Sequence, residues 1–396
     1  MAHRKCRVVP TLVPRDAHVR RVLRLLREHR VVALLGARQV GKTTLAHMVA
    51  ARRGGAVHWY DLESPRDLAR LEQPLTELEG LTGLVVLDEI QRRPEIFPVL
   101  RVLADRPRGA RFLVLGSAAP DLLRQSSETL AGRIVFHHVG GLALGEVPSS
   151  SLDRSWVRGG FPRSLLARTE RASFEWRLAF LQTFVERDLP ALGMGSPPPT
   201  LSRFWGMLAH WHGQTWNGSE LGRSLGVADT TVRRWLDFLE GTFVVRVLRP
   251  YFENLAKRQV KSPKVYVADT GLLHALLGLP TREALLGHPK VGASFEGFGI
   301  QAIVDHLEAQ PSETYFWATP SGAEIDLVVI RGNQRRGFEI KRADAPVMTP
   351  SMRIAAADLR LDSIDVVYPG NASYAIAPGV RAVPIRAIRD LVAPLR

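Results

Sequence analysis

The chain has 396 residues, 45% of them hydrophobic, which is enough for two or three domains with real cores and argues against global disorder. Its 53 Lys and Arg against 39 Asp and Glu leave a formal charge of +14, which points to a polyanionic partner, nucleic acid before membrane; an arginine-rich proteome would give the same surplus. A single cysteine, Cys6, excludes a disulfide framework and a cysteine-based zinc site; with no apolar run near the roughly 20 residues of a membrane span and no secretory signal, a cytoplasmic protein without a membrane partner is expected.

Residues up to about 150 alternate short apolar strands, at 31–35, 84–87 and 112–115, with helical stretches. That is the pattern of a parallel sheet with crossover helices. After a Pro/Ser break at 147–151, residues from about 152 to 265 read as mostly helical, with a proline-rich joint at 196–200. From about 270 the chain opens with helices and turns to strands near Tyr315. The expected class is α/β in three parts: a P-loop NTPase core over 1–150, a helical and winged-helix region over 151–268, and a further α/β domain over 269–396.

The first strand runs into Gly36, Ala37, Arg38, Gln39, Val40, Gly41, Lys42, Thr43 and Thr44, a P-loop opening a helix. Glycines let the backbone fold around phosphate with its N–H groups inward, and the helix N-terminus adds partial positive charge. Lys42 is expected on the β- and γ-phosphates of ATP and the Thr43 hydroxyl on Mg²⁺. The strand at 84–87 delivers Asp88 and Glu89 at its C-terminal end, where ligands of parallel sheets sit. Asp88 suits Mg²⁺ and Glu89 the attacking water. Ser117, after the third strand, suits a polar sensor of the γ-phosphate, although Gly-Ser there is also ordinary turn chemistry.

These segments, with Leu130-Ala131-Gly132-Arg133, resemble the bacterial and archaeal AAA-type ATPases in which such a core precedes a C-terminal region of undefined role. Arg158-Gly159-Gly160-Phe161-Pro162, Glu186-Arg187-Asp188 and the run from Ser262 through Asp269 to Leu272 agree with that resemblance, which covers nearly the whole chain. It implies the fold, ATP hydrolysis and assembly into an oligomer or ring, with Arg133 a candidate finger on a neighbouring subunit's nucleotide.

Residues 219–236 have a helix-turn-helix rhythm. Leu221 and Leu225 share a face, Gly226 permits the turn and Asp229 is expected to cap the second helix. Val232, Leu236 and Leu239 then point inward, while Thr230, Thr231, Arg233 and Arg234 face out as DNA contacts; residues 243–248 would form a wing. Such modules also pack between domains without touching DNA, and the arginine pair suits phosphates better than bases.

Near the C-terminus, residues 323–330 and 337–341 read as strands joined by a turn at Gly332-Asn333. Glu339 and Lys341 share one strand face, and Asp326 interrupts an apolar strand, where a carboxylate needs compensation such as a divalent cation. Asp followed by Glu-x-Lys resembles the PD-(D/E)xK nuclease superfamily, whose fold is restriction-endonuclease-like and which includes archaeal Holliday-junction resolvases. That resemblance implies that Glu296, Asp326 and Glu339 bind Mg²⁺ and that Lys341 positions the water. Arg331, Arg335, Arg336 and Arg342 crowd the hairpin and are expected to aid DNA binding.

The leading expectation is an ATP-hydrolysing oligomer that binds and remodels DNA, branched DNA included. The alternatives are an ATP-gated metal-dependent DNA nuclease and a signalling or scaffold ATPase that never touches DNA.

Overall fold

The computed structural model describes residues 12–116, 129–252 and 261–395. Strands β1 (Val31–Leu35), β2 (Val57–Asp61), β3 (Leu84–Asp88), β4 (Arg111–Gly116) and β5 (Ile134–His138) form a parallel sheet in the order β2-β3-β4-β1-β5. The all-apolar β1 and central β3 and β4 are buried on both faces, as parallel strands under helices must be. Helices Asp16–Glu28 and Lys42–Arg53 cover one face. The other is covered by Ile96–Ala104 and by the short helices around Leu71 and Leu78.

The core does not stop at residue 150. Val32 and Leu34 of β1 belong to the same apolar cluster as Phe161, Phe180, Phe184, Trp205 and Leu236. An aromatic ladder crosses the middle region, with ring centroids 4.9 Å apart for Phe161–Phe180, 5.7 Å for Phe180–Phe184 and 5.2 Å for Phe184–Trp205. Phe184–Asp188 is a π-helical turn, a form that often marks functional sites. The prolines near 197 do not make a joint. Pro198 opens helix Pro198–His210, where its missing N–H costs nothing.

Helices Gly218–Leu225 and Asp229–Gly241 meet through Gly226, whose φ of 69° a side chain would disfavour. Leu221, Val232, Leu236 and Leu239 are buried as expected, but Ala228 is the cap position, and Asp229 is the first helical residue, its carboxylate accepting from the Thr230 amide at 2.8 Å. Strands β6 (Gln214–Thr215), β7 (Val245–Pro250) and β8 (Lys264–Val267) follow, with β8 antiparallel to both others. The mostly helical reading of this region therefore missed β6 and β8, while β7 overlaps the stretch expected as a wing.

Strands β9 (Thr314–Ala318), β10 (Glu324–Arg331) and β11 (Gln334–Ile340) form an antiparallel meander, turned at Gly332 as expected. Helix Pro350–Leu359 then returns the chain to β12 (Ser363–Tyr368), parallel to β11, and β13 (Tyr374–Ala377) and β14 (Val380–Pro384) complete that edge. One face packs on helix Val291–Leu307 and the other on Pro350–Leu359. Because β7 pairs with β9, the middle and C-terminal strands form one sheet, β13-β14-β12-β11-β10-β9-β7-β8-β6. Among the described residues no helix is long and apolar enough to cross a membrane.

His274 is fully buried where the middle helices meet this last region. Its Nδ1 donates to the Val157 carbonyl at 2.9 Å, so Nε2 accepts from the Ser294 hydroxyl at 2.7 Å. Burial lowers its pKa to about 4, whereas an unfolded imidazole titrates near 6.5. Below pH 6.5 the unfolded chain thus takes up a proton the folded chain refuses, and stability present at neutral pH is lost as pH falls toward 4. By pH 5 this costs up to about 2 kcal/mol. Asp305, raised to about 6 by burial, works in the opposite direction, so the expected result is a comparison: His274→Gln should show a smaller drop in melting temperature between pH 7.5 and 5 than wild type.

Candidate active site

The P-loop lies at the C-terminal end of β1, as the strand-loop-helix order requires. Gly36 packs so closely on the Val139 carbonyl that a Cβ would come within 2.1 Å of its oxygen, and Gly41 turns the chain at φ 95°. Gln39 also takes a positive φ of 65°, and the loop passes through Ala37, Arg38 and Val40 before Lys42, Thr43 and Thr44 open the helix.

Lys42 is almost fully buried, its ammonium donating to the carbonyls of Gly36 at 3.1 Å and Ala37 at 3.0 Å. Burial pulls its pKa down, against the pull of Glu89 and Asp88. A buried cation resting on carbonyl dipoles is poised for a phosphate, so the loop fits ATP. The Thr43 hydroxyl donates to Asp88 Oδ2 at 2.8 Å, which brings the two expected Mg²⁺ ligands together. Burial raises the Asp88 pKa. Glu89 follows at φ 55°, a strained backbone, and the Gln91 amide donates to its carboxylate.

Sequence reading missed one feature of this site. Arg38 leaves the loop to pair with Asp188 on the π-helical turn and, at 3.4 Å, with Glu63. The Glu186-Arg187-Asp188 motif thus supplies an acid that ties the nucleotide loop to the middle region. Burial raises the Asp188 pKa and Arg38 lowers it. An acid amid apolar helical neighbours was the available signal.

Arg133 is not near this loop. It precedes β5, whose Ile134 pairs with Val31 at the start of β1, so it stands at the opposite edge of the sheet from the nucleotide. There it forms a forked ion pair with Asp105 at 2.6 and 2.9 Å. It cannot serve its own subunit's nucleotide. Ser117 lies outside the described residues.

On the helix-turn-helix, Thr230, Arg233 and Arg234 are exposed and Thr231 is half-buried. Together with Trp216 and Ser219 the first three line an open groove that also contains Asp229 and Asp237, and Asp237 accepts from Arg233 at 3.0 Å.

In the C-terminal sheet, the β10–β11 register places Asp326 across from Glu339, one pair beyond Leu327 and Phe338. Asp326 accepts from the Ile340 amide at 2.8 Å, Lys341 reaches Glu339 at 2.6 Å, and Glu296 comes in from helix Val291–Leu307. Burial drives the Asp326 pKa well up, helped by Glu296 and Glu339, and it raises Glu339 too, against Lys341. Sequence reading missed Lys264, Tyr266 and Glu324. Lys264, on β8, contacts Glu324, Glu296 at 3.3 Å and Asp326 at 3.9 Å, while the Tyr266 hydroxyl donates to Glu296 at 2.6 Å. A lysine beginning the apolar strand Lys264–Val267 was the signal. Among the described residues no three His, Cys, Asp or Glu groups converge as a ready metal cage.

The basic hairpin is also not what its composition promised. Arg331 forks onto Glu313 at 2.7 and 2.8 Å, Arg336 pairs with Asp365 at 3.0 Å, and Arg335 donates to the Leu359 carbonyl at 3.0 Å. Ion pairs neutralise Arg331 and Arg336, and Arg335 is drawn onto a backbone carbonyl; Arg342 is exposed.

A parallel sheet carrying this loop on β1, with Asp88 and Glu89 at the same end of β3 across β4, gives the chain an AAA-type P-loop ATPase core. An AAA domain model matches residues 28–147, and two domains of unknown function, DUF8612 and DUF4143, match 149–283 and 291–388. The uncharacterized protein Rv2008c of Mycobacterium tuberculosis is 48% identical over 379 residues, spanning 96% of this chain and 85% of the relative, as is Mb2031c of Mycobacterium bovis. The chain belongs to the family of these mycobacterial proteins. Among solved structures it is similar to the Walker-type ATPase PABY2304 of Pyrococcus abyssi, with a TM-score of 0.48 and 16% identity over 67% of this chain and 96% of that one. A RuvB of Thermotoga maritima gives a TM-score of 0.29 and 16% identity over 59% of this chain and 89% of that one.

Proposed function

We propose that this AAA-type ATPase uses hydrolysis to bind and remodel DNA as an oligomer, with branched DNA among its substrates. Lys42 and the loop amides hold the phosphates, Thr43 and Asp88 hold Mg²⁺, and Glu89 takes a proton from the attacking water. The ion supplies charge neutralisation between the phosphates. Arg133, on the far edge of the sheet from its own loop, suits a role at a neighbour's nucleotide.

The observation that carries the DNA reading is the exposed row of Thr230, Arg233 and Arg234 on the second helix of a helix-turn-helix, in a chain of net charge +14. The middle region around these two helices and the β7–β8 strands is read as a winged helix, and its arginines as phosphate contacts. Phosphate contacts by these arginines are expected to weaken as salt rises, and Asp229 and Asp237 in the same groove lower the affinity they can supply.

The test is ATPase activity with duplex, single-stranded and four-way-junction DNA at low salt. Stimulation by DNA that is lost in Arg233→Ala/Arg234→Ala, with all turnover lost in Lys42→Ala, is the expected result. Hydrolysis indifferent to every DNA would sink the reading in favour of a scaffold or signalling ATPase.

A further inference from the structure

We propose, resting on the DNA-binding reading, that the end of the ATPase sheet opposite the nucleotide is a second contact surface for the phosphate backbone of duplex DNA. Two groups of arginines make it. Arg20, Arg24 and Arg27 are exposed on helix Asp16–Glu28 at spacings of four and three residues, which puts them in one stripe. Arg30, Arg53 and Arg111 stand where strands begin: Arg30 just before β1, Arg111 as the first residue of β4, and Arg53 closing the helix that precedes β2. The Arg111 guanidinium donates to the Arg27 carbonyl at 3.2 Å, so stripe and cluster are continuous.

These arginines lack the acids that other arginines of the chain have. Arg331 is matched by Glu313 and Arg336 by Asp365. Among the described residues no ion pair reaches any of the six. Arg30 donates instead to the carbonyls of Gly109 at 3.0 Å and Pro107 at 2.7 Å, and Arg53 to that of Gly83 at 3.5 Å. Carbonyls hold a guanidinium in place without cancelling its charge. Burial lowers the Arg111 pKa, and Arg30 and Arg53 lower it further, so the three charges stand close enough to repel. The acids at the margin are engaged elsewhere: Asp16 with Arg52 at 3.2 Å, Glu79 with Arg106 at 3.0 Å and Asp105 with Arg133, while Glu28 lies 4.0 Å from His29. An anion laid across the surface supplies the missing counter-charge.

The extent of the surface selects a duplex over a small anion. Arg20 and Arg27 lie about 10 Å apart along the helix axis, a length over which one DNA strand carries about three phosphates. Guanidinium forks match phosphate oxygens, and a flat arginine face with no element to enter a groove suits backbone contact without base reading. The P-loop opens at the other end of the sheet, so DNA held here leaves the nucleotide's entrance free.

The test is the salt dependence of duplex binding by full-length protein, read by fluorescence anisotropy from about 50 to 200 mM NaCl. Arg20→Gln/Arg24→Gln/Arg27→Gln should reduce the slope of log affinity against log salt by about 2 to 3. Glutamine keeps the helix propensity of arginine, and unchanged basal ATPase activity reports the intact fold. The control Arg66→Gln/Arg154→Gln/Arg168→Gln removes the same charge from exposed arginines elsewhere and should leave the slope in place. An unchanged slope in the helix variant would overturn the proposal. So would an equal fall in the control, which would assign the effect to net charge, or loss of binding to phosphatidylserine vesicles with the DNA slope intact. Arg233→Ala/Arg234→Ala separates the two surfaces: a slope reduced there alone keeps the helix-turn-helix reading and removes this one, and a slope reduced in the helix variant alone does the reverse. Wild type that binds no duplex at the lowest salt removes both.

Discussion

Glu89→Gln should leave ATP binding in place while slowing hydrolysis by about 100-fold or more. The substitution keeps size and one acceptor oxygen but removes the charge that accepts a proton from the attacking water. Binding rests elsewhere: on the loop amides, on buried Lys42, and on the Thr43–Asp88 pair at 2.8 Å. The two effects are therefore separable by measuring nucleotide affinity with a fluorescent ATP analogue and turnover by phosphate release. Loss of both together would mean that Glu89 shapes the loop rather than the water. A turnover within a few-fold of wild type would remove it from the chemistry and leave Asp188, held by Arg38 above the same loop, as the acid to examine. Lys42→Ala differs in kind, since it removes a contact to the phosphates themselves.

The nucleotide site was legible because its parts are local. One strand, one loop and one helix N-terminus place Gly36, Lys42 and Thr43 within a dozen residues, and Asp88 and Glu89 need only the end of β3, one strand removed from β1 across β4. The helix-turn-helix was legible for the same reason: Leu221, Val232 and Leu236 announce their burial by spacing alone. What escaped the sequence is assembled at long range. Nothing near Lys264 says that residues 296, 324 and 326 surround it. Counting arginines along the hairpin could not reveal Glu313 and Asp365, which come from other elements and neutralise Arg331 and Arg336. The prolines near 197 misled because proline signals both a break and a helix start.

Asp269→Ala should destabilise the protein by about 2–4 kcal/mol. The side chain is half-buried and uses both oxygens: Oδ1 accepts from the Leu272 amide at 2.9 Å, capping helix Thr270–Leu276, and Oδ2 accepts from the Gly160 amide at 2.7 Å. Alanine removes the acceptor of both amides. The backbone has been cleared for this contact, since a Cβ on Gly159 would lie 2.0 Å from Asp269 Oδ1 and one on Gly271 would lie 2.0 Å from the Arg158 carbonyl oxygen. Arg177, fully buried nearby, ties the same two segments by donating to the carbonyls of Val157 at 3.1 Å and Gly271 at 3.0 Å. The Arg158-to-Pro162 motif and the Asp269-to-Leu272 motif are thus two halves of one junction. Its first half lies against the nucleotide loop, Pro162 being 4.0 Å from where a Gly41 Cβ would stand. Its second half continues from β8, which carries Lys264. Asp269→Asn separates charge from acceptor count: it keeps one carbonyl but turns an NH₂ toward an N–H donor, so it should recover only part of the loss. Urea unfolding of the three proteins measures this directly. A stability for Asp269→Ala within about 1 kcal/mol of wild type, roughly the value of one neutral hydrogen bond, would show that water replaces the carboxylate at Gly160 and Leu272 and that Asp269 does not hold the two halves together.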